Sequence, residues 1–387
     1  MDRIRSHIVR ILCLSAFAAL VAGFCLARPL SLHPRQARGE ARPATSGSSR
    51  SQALPRSVGD VVIPSDERYA YLSERFRQLV AESYAIAGGG KPDGFYTYMD
   101  KACRSSPHGL ADKDNLALPE LLRSRRAQLS HISDAAKRTR SEIAACEWLH
   151  HLVKSAIPRF SLDRGFEFHN VVRFGERQCF LQSVLIAGLL QETGVDAGVV
   201  IVYRNERGEE SNNGHAVALV KLSDGTDVIV DASDPDPFAP HRGLFVRTSD
   251  YAYAVPAYEA GSSRIAVYVL PSNGRRLAPA QVRTLDFAFL RSQFYYYRGE
   301  REPGGIMSSG RRASGLRESE RCLRTSVELC PANPLATYML GRVYLAEGKV
   351  GQARTALQTT YRLYERFGWV PEGPRQYLAQ ANGRHPS

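Results

Sequence analysis

In the first part of the chain, apolar positions recur every three or four residues, which is the period of an amphipathic helix. One helix is predicted from the acidic start at 64–67 to the glycine run at 88–90, where it would stop. A second is predicted from Ser130 to Ala156, and only short helices are expected over 91–129. The apolar residues that carry this period are Tyr69, Leu72, Phe76, Leu79, Val80, Ile143, Trp148 and Leu152.

From about residue 160 the apolar pattern shortens to runs of strand length. A short helix is predicted from Cys179 to Gly194, strands follow it, and helices return after Pro279. Two of the strands are separated by Ser223-Asp224-Gly225-Thr226, whose Asp-Gly step predicts a tight hairpin. A group of strands flanked by helices indicates an α+β fold. The strand-like runs are Gly198–Tyr203, His215–Leu222, Asp227–Asp231 and Arg264–Leu270.

The amino terminus has the order of an export signal. Three arginines precede an uncharged run from Ile11 to Ala27, so residues 1–27 are predicted to be a signal peptide or a membrane anchor. Residues 28–60 are rich in Arg, Pro, Ser and Gly without an apolar period, which predicts a disordered linker. The expected location is therefore periplasmic or extracellular, with anchoring to the inner membrane as the alternative to cleavage after Ala27.

The net charge of +12 does not point to a nucleic-acid partner. Residues 1–60 contain nine Arg against Asp2, Glu40 and Asp60, which gives +6 and leaves +6 for the other 327 residues of the chain. Half of the net basic charge thus lies in the first 60 residues, outside the predicted folded part, so no phosphate-binding face is expected. With a length of 387 residues, the rest divides into a helical region (61–139), a core domain (140–278) and a helical end (279–387).

Five cysteines lie outside the predicted leader, and an odd number leaves at least one free thiol. In an oxidising compartment, Cys103 with Cys146 and Cys322 with Cys330 are candidate disulfide pairs; buried free thiols are the alternative. The chain has no C-x-x-C pair and its histidines are scattered, so we expect neither a metal site nor a cofactor.

Three residues of the predicted core could act together on an amide. Cys179 opens a helix, where backbone N–H groups and the helix dipole favour the thiolate. His215 begins a strand and Asp231 ends the next one, and the hairpin between them brings the two strands side by side. A thiol that attacks a carbonyl needs an imidazole to handle its proton and a carboxylate to orient that imidazole.

Each of these residues also has a structural interpretation: a small buried hydrophobe for Cys179, a strand-edge histidine, and a turn-forming aspartate. Two competing imidazoles, His169 and His241, are not followed by a suitable strand. Asp234 and Asp236 flank prolines and are expected to be loop residues.

The order Gln178-Cys179-Phe180, Gly214-His215-Ala216 and Val230-Asp231 resembles the transglutaminase-like superfamily, which is a circular permutation of the papain-type core. The likeness covers about residues 140–270. It implies that Cys179 is the nucleophile, His215 the general base and acid, and Asp231 the group that orients His215, with the Cys179 N–H helping to hold the oxyanion. Members commonly carry Trp two residues after the histidine, where this chain has Val217.

Residues 334–367 resemble one tetratricopeptide repeat, because Leu340-Gly341, Tyr344, Gly348 and Ala353 fall on its small and large positions. Residues 287–297 and 318–334 resemble a preceding repeat that is interrupted by an insert at 300–316. Two units are fewer than a free-standing array needs, so they are expected to pack on the core. Tyr295-Tyr296-Tyr297 is interpreted as a solvent-facing aromatic surface.

These features predict an exported cysteine-dependent amide hydrolase or acyl transferase that acts on a peptide or protein through Cys179, His215 and Asp231. Hydrolysis is favoured over crosslinking, because water competes as acceptor unless the site excludes it. The alternative is a non-catalytic envelope adaptor that uses the same fold and the carboxyl-terminal helices to hold a protein partner. Those helices could also serve only as a prop for the core.

Overall fold

A closed antiparallel barrel lies at the centre of the protein, and helices pack against its outside. The computed structural model describes residues 64–106 and 116–383. The predicted leader and linker (1–27 and 28–60) lie outside these residues.

The helices, in chain order, are α1 (Glu74–Ala87), α2 (Asp93–Ser105), α3 (Leu118–Ser130), α4 (Ala135–Ala156), α5 (Phe168–Phe174), α6 (Cys179–Glu192), α7 (Phe287–Glu300), α8 (Ala313–Leu329), α9 (Pro334–Ala346), α10 (Val350–Phe367) and α11 (Glu372–Ala381). The strands are β1 (Arg159–Phe160), β2 (Glu176–Arg177), β3 (Asp196–Arg204), β4 (Glu210–Lys221), β5 (Asp227–Val230), β6 (Gly243–Arg247), β7 (Tyr251–Tyr258), β8 (Arg264–Val269) and β9 (Arg276–Leu277).

Six strands form the barrel in the order β5-β4-β3-β6-β7-β8, and β5 pairs with β8 to close it. Side chains alternate between the two faces of each strand. One face fills the barrel with residues such as Val200, Val217 and Leu244, and the other packs against the helices. The mixture of helices with an antiparallel sheet confirms the predicted α+β class.

The four strands predicted from the sequence are all present, three of them with ends shifted by at most two residues. The prediction that His215 begins its strand is wrong, because β4 begins at Glu210, five residues earlier. The Asp-Gly hairpin is also present, with Gly225 at a φ of 89° and the Leu222 N–H bonded to the Thr226 carbonyl at 2.9 Å. It pairs β4 with β5 so that Ala218 lies opposite Val230. This register places His215, which lies within β4, near the end of β5, which Asp231 directly follows.

The first helix begins ten residues later than predicted. Residues 64–73 are turns and extended chain, and α1 starts after Ser73, whose hydroxyl accepts a hydrogen bond from the Phe76 N–H at 3.3 Å. Asp66 and Glu67 do not cap the helix, because both form ion pairs with Arg247. The helix ends as predicted at Gly88, which has a φ of 72°.

The second long helix begins at Ala135 instead of Ser130. Its start is fixed by Asp134, whose carboxylate accepts a hydrogen bond from the Lys137 N–H at 2.6 Å. The region between the two long helices contains two helices of 13 residues each, α2 and α3.

The carboxyl-terminal helices pack directly on the barrel, as expected. Phe367 of α10 lies 5.4 Å from Phe245 of β6, and Trp369 lies 4.9 Å from Tyr203 of β3, measured between ring centroids. The prediction that Tyr295–Tyr297 form a solvent-facing surface is wrong. Tyr296 and Tyr297 are each 1% exposed, because α7 turns this face towards the core.

All five cysteines in the described part of the chain are free thiols. The proposed pair Cys322–Cys330 does not form. Cys322 lies within α8 and Cys330 caps the end of that helix eight residues later. Because a helix rises about 1.5 Å per residue, the two residues are too far apart for a disulfide. Cys103 and Cys146 are also unpaired. Among the described residues, no helix has the length and apolar character required to cross a membrane.

Candidate functional site

Cys179 is the first residue of α6, as the sequence predicts. The chain reaches it through β2, which pairs in parallel with β1, and through Arg177, whose guanidinium donates a hydrogen bond to the Ile157 carbonyl at 2.8 Å. Gln178 precedes the helix without making a side-chain cap. Without a side-chain cap, the backbone N–H groups of the first turn remain available at the N-terminus of α6, where Cys179 lies. They favour an anion at this position. Cys179 is partly exposed.

His215 and Asp231 meet at the end of β5 that lies away from the hairpin turn. His215 lies on β4 opposite Val202, and Asp231 directly follows β5. The His215 Nε2 atom donates a hydrogen bond to Asp231 Oδ2 at 2.8 Å. The His215 side chain is 25% exposed and the Asp231 side chain 4%. The carboxylate is thus buried behind an imidazole that solvent can reach.

The Cys179 thiol lies near enough to the His215 imidazole to influence its pKa. Burial lowers the pKa of His215, but hydrogen bonds with Asp231 and Cys179 and their negative charges outweigh burial and raise that pKa to about 10. At neutral pH the imidazole therefore carries a proton. Because Asp231 occupies Nε2, Nδ1 is the ring nitrogen left for the thiol.

His241 is a second imidazole at Asp231. It lies between β5 and β6, is 7% exposed, and its Nε2 atom donates to the same Asp231 Oδ2 at 2.9 Å. Tyr258 fixes its backbone, since the Tyr258 hydroxyl accepts from the His241 N–H and donates to the His241 carbonyl, both at 2.8 Å. The expectation that His241 lies away from the site is wrong. His241 needs no strand to reach Asp231, because the loop between β5 and β6 brings it there.

Asp231 is held from four directions. Its Oδ1 atom accepts the Ser233 N–H at 2.8 Å, and its own N–H donates to the Pro237 carbonyl at 2.9 Å. Burial raises the pKa of Asp231, but the hydrogen bonds from His215 and His241 outweigh it and hold that pKa well below its usual range. The carboxylate is therefore ionised and fixed in orientation.

Tyr297 of α7 reaches the site from the carboxyl-terminal helices, which sequence reasoning missed. Its hydroxyl donates to the carbonyl of Gly214, the neighbour of His215, at 3.2 Å. Its ring stacks on Phe166 at 5.7 Å and lies 5.7 Å from Phe180, which follows Cys179. The signal for it was the apolar period of residues 287–297, which marks the inward face of the helix.

Val217 lies inside the barrel and is fully buried. The position at which transglutaminase-like proteins commonly have Trp is therefore not a wall of the exposed cleft here. The aromatic residue that packs beside Cys179 and His215 is Tyr297 instead.

His215, Asp231 and His241 are the one group in the described residues whose ligand atoms could hold a metal ion, since these atoms lie within 4.8 Å of one another. Two imidazole nitrogens and a carboxylate oxygen are a donor set that suits Zn²⁺. In the geometry observed, however, both Nε2 atoms are at hydrogen-bond distance from one oxygen, as expected for N–H donors. The observed contacts are therefore those of two imidazoles that donate to one carboxylate oxygen.

The remaining candidates lie elsewhere. His169 packs edge-on against Tyr84 at 5.2 Å between ring centroids. Asp234 and Asp236 are loop residues, as predicted; the Asp234 carbonyl lies 3.1 Å from His150 Nε2, and its carboxylate accepts the Asp236 N–H at 2.9 Å.

Comparison of the chain with protein-family models, with curated proteins and with solved structures gives no match. What the chain offers towards a function is the arrangement of a thiol, two imidazoles and a carboxylate.

Proposed function

We propose that the protein is a cysteine-dependent amide hydrolase or acyl transferase of the transglutaminase-like type, acting on a peptide or protein. The observation that carries this proposal is the 2.8 Å contact between His215 Nε2 and Asp231 Oδ2, with the Cys179 thiol near enough to the same imidazole to raise its pKa. A thiol, an imidazole and a carboxylate in this order are the groups that acyl transfer requires.

In the first half-reaction, the Cys179 thiolate attacks the amide carbon and forms a C–S bond. The oxyanion that results lies near the N–H groups that open α6. Protonated His215 then donates its Nδ1 proton to the amide nitrogen, the C–N bond breaks, and the amine leaves a thioester on Cys179. Asp231 stabilises the imidazolium before this transfer and keeps the ring oriented after it.

In the second half-reaction, neutral His215 takes a proton from water, or from an acceptor amine, as that molecule attacks the thioester. The C–S bond breaks, the acid or the new amide leaves, and the thiolate–imidazolium pair returns. Hydrolysis is the default outcome, because His215 is partly exposed and water reaches it.

Ser183 is proposed to hold the two halves of the site in register. Its hydroxyl oxygen lies 2.8 Å from the Cys179 carbonyl and 2.9 Å from the Ala216 carbonyl. It therefore links the first turn of α6 to the strand residue that follows His215. Such a link keeps the distance between thiol and imidazole short, on which nucleophilic catalysis depends.

The test is the rate of iodoacetamide alkylation of Cys179 at pH 6 in the full-length chain, followed by peptide mass spectrometry. An ordinary thiol has a pKa near 8.5 and is under about 1% thiolate at pH 6. We expect wild-type Cys179 to react rapidly at this pH, and His215→Ala to slow the reaction roughly 10- to 100-fold. Slow labelling of wild type, or no effect of the substitution, would contradict the proposal.

The other described cysteines provide internal controls. Burial raises the pKa of Cys103, Cys146, Cys322 and Cys330, so none of these thiols should react at pH 6. His131→Ala, which removes an exposed imidazole after α3, is the matched variant and should leave the Cys179 rate unchanged.

The second candidate is a non-catalytic adaptor for a protein partner in the cell envelope. It is favoured by a cavity of about 270 Å³ between the barrel and helices α9 and α11. An adaptor predicts that Cys179 reacts no faster than an ordinary thiol, so the same alkylation experiment separates the two. Export remains part of both proposals and depends on the uncharged run from Ile11 to Ala27.

A further inference from the structure

The 270 Å³ cavity extends to Gly214, which precedes the proposed catalytic residue His215 in the chain. Strand residues of β3 and one face of α9 are also part of its lining. Nine of the 22 lining residues are aromatic: Tyr203, Phe245, Tyr253, Phe289, Tyr296, Tyr338, Tyr364, Trp369 and Tyr377. Cavities for drug-sized ligands occupy about 300–1,000 Å³. This one is therefore suited to a single large side chain.

Arg342 supplies the positive charge of this cavity. Its guanidinium lies 4.7 Å from the Tyr377 ring centroid and 5.6 Å from that of Tyr338. Its Nε atom is buried without a hydrogen-bond partner, and no carboxylate in the described part of the chain forms an ion pair with it. The one acidic lining residue, Glu300, is bound instead to Arg301 and Tyr296. A guanidinium held between rings and left without an anion suits a carboxylate ligand.

Helix α9 runs along the cavity, from beside Gly214 to Arg342. A Cβ added to Gly214 would lie 3.0 Å from Leu335 Cδ1, so the start of α9 is beside His215. Arg342 is seven residues further along the helix, and both residues line the cavity. At about 1.5 Å per residue this places the Arg342 backbone roughly 10 Å from Leu335. An extended peptide covers that distance in about three residues.

We propose that this cavity binds the last residue of a peptide substrate, with an aromatic side chain among the tyrosines and the free carboxylate on Arg342. The substrate would then be cut within about three residues of its carboxyl terminus. This inference rests on the proposed amide chemistry for the cut, whereas the binding itself needs no reactive thiol.

The test uses the full-length chain with Cys179→Ala and two probe peptides, acetyl-Gly-Gly-Phe with a free carboxylate and the same peptide as its carboxyl-terminal amide. Binding is followed by tryptophan fluorescence, because Trp369 lines the cavity and Trp148, the other tryptophan, is buried in α4. We expect the acid to bind at least tenfold more tightly than the amide. Equal binding of the two peptides, or binding of neither, would overturn the proposal.

Arg342→Gln should remove the preference for the acid, and retention of the preference would also overturn the proposal. Arg362→Gln, which removes an exposed arginine of the neighbouring helix α10, should keep it. If Arg342→Gln does not fold, Arg342→Lys is used in its place. Lysine keeps the positive charge but lacks the planar guanidinium, so we expect a smaller preference for the acid over the amide. Since Cys179 is absent, a failure here concerns the cavity alone, whereas a failure of Cys179 alkylation concerns the chemistry.

Discussion

Glu67 and Asp231 are both buried carboxylates that accept hydrogen bonds from two basic side chains. Glu67 Oε1 accepts from Arg247 at 2.7 Å and from Arg283 at 2.8 Å, while its Oε2 accepts from Thr284 at 2.7 Å. Asp231 accepts from two imidazoles at 2.8 and 2.9 Å. The two carboxylates are almost equally buried, at 2% and 3% exposed. Burial and charge pairing alone therefore do not distinguish them.

The difference lies in the partners. Arginine stays protonated under all ordinary conditions, so the two guanidinium groups at Glu67 exchange no proton; they hold the segment before α1 against β6 and the residues that precede α7. Imidazoles gain and lose protons near neutral pH. One of those at Asp231 is partly exposed and contacts a thiol. A buried carboxylate points to chemistry when its partner can titrate and touches a nucleophile.

The largest effect is expected at the arginine-bound carboxylate. Glu67→Gln leaves two guanidinium groups without their shared anion and should lower the free energy of unfolding by about 3 kcal/mol, measured in urea. Glu206→Gln, at an exposed ion pair with Arg207, is the control and should cost under about 0.5 kcal/mol. Cys179 alkylation should be unchanged in folded Glu67→Gln. A slower rate would mean that the two clusters are not independent.

Acid should affect the imidazole-bound carboxylate instead. Because the pKa of Asp231 is held well below its usual range, its ionised form stabilises the fold above the unfolded-state pKa near 3.9. That contribution is lost as the pH falls below about 4. Asp231→Asn should reduce the decline in unfolding free energy between pH 4 and pH 2 by about 1–2 kcal/mol. An unchanged decline in the variant would argue against this ion pair.

The hairpin and helix α6 could be predicted because their signals are local. The Asp-Gly turn fixes the pairing of β4 with β5, and the switch from a loop to an apolar run fixes the start of α6. Strand β7 was not predicted, because Pro256 interrupts the strand pattern of its sequence. In the structure Pro256 nevertheless lies opposite Tyr268 in the barrel. The start of α1 was misplaced because ion pairs with a distant arginine engage the acidic residues.

His241 and Tyr297 could not be found as site residues from local patterns. His241 lies in a loop with no periodic signal, and the closure of the barrel brings that loop to Asp231. The helical period of α7 indicates that Tyr297 faces the core, but it does not indicate that the Tyr297 hydroxyl bonds to the Gly214 carbonyl. Both contacts depend on how distant elements pack, which a single sequence does not encode in any one segment.

The smallest expected effect separates the two imidazoles at Asp231. His241→Phe keeps a ring in the buried space and removes one hydrogen bond from Oδ2; since His241 Nδ1 already lacks a partner, the cost in stability should stay near 1 kcal/mol. Asp231 would then have more freedom to turn away from His215, so Cys179 alkylation at pH 6 should slow about three- to tenfold. His169→Phe, which removes an imidazole outside the site, is the matched control and should leave the rate unchanged.

If His241→Phe abolished alkylation as fully as His215→Ala does, His241 would act on the thiol and not through Asp231. If the rate did not change at all, Ser233 and the Asp231 backbone would be sufficient to position the carboxylate.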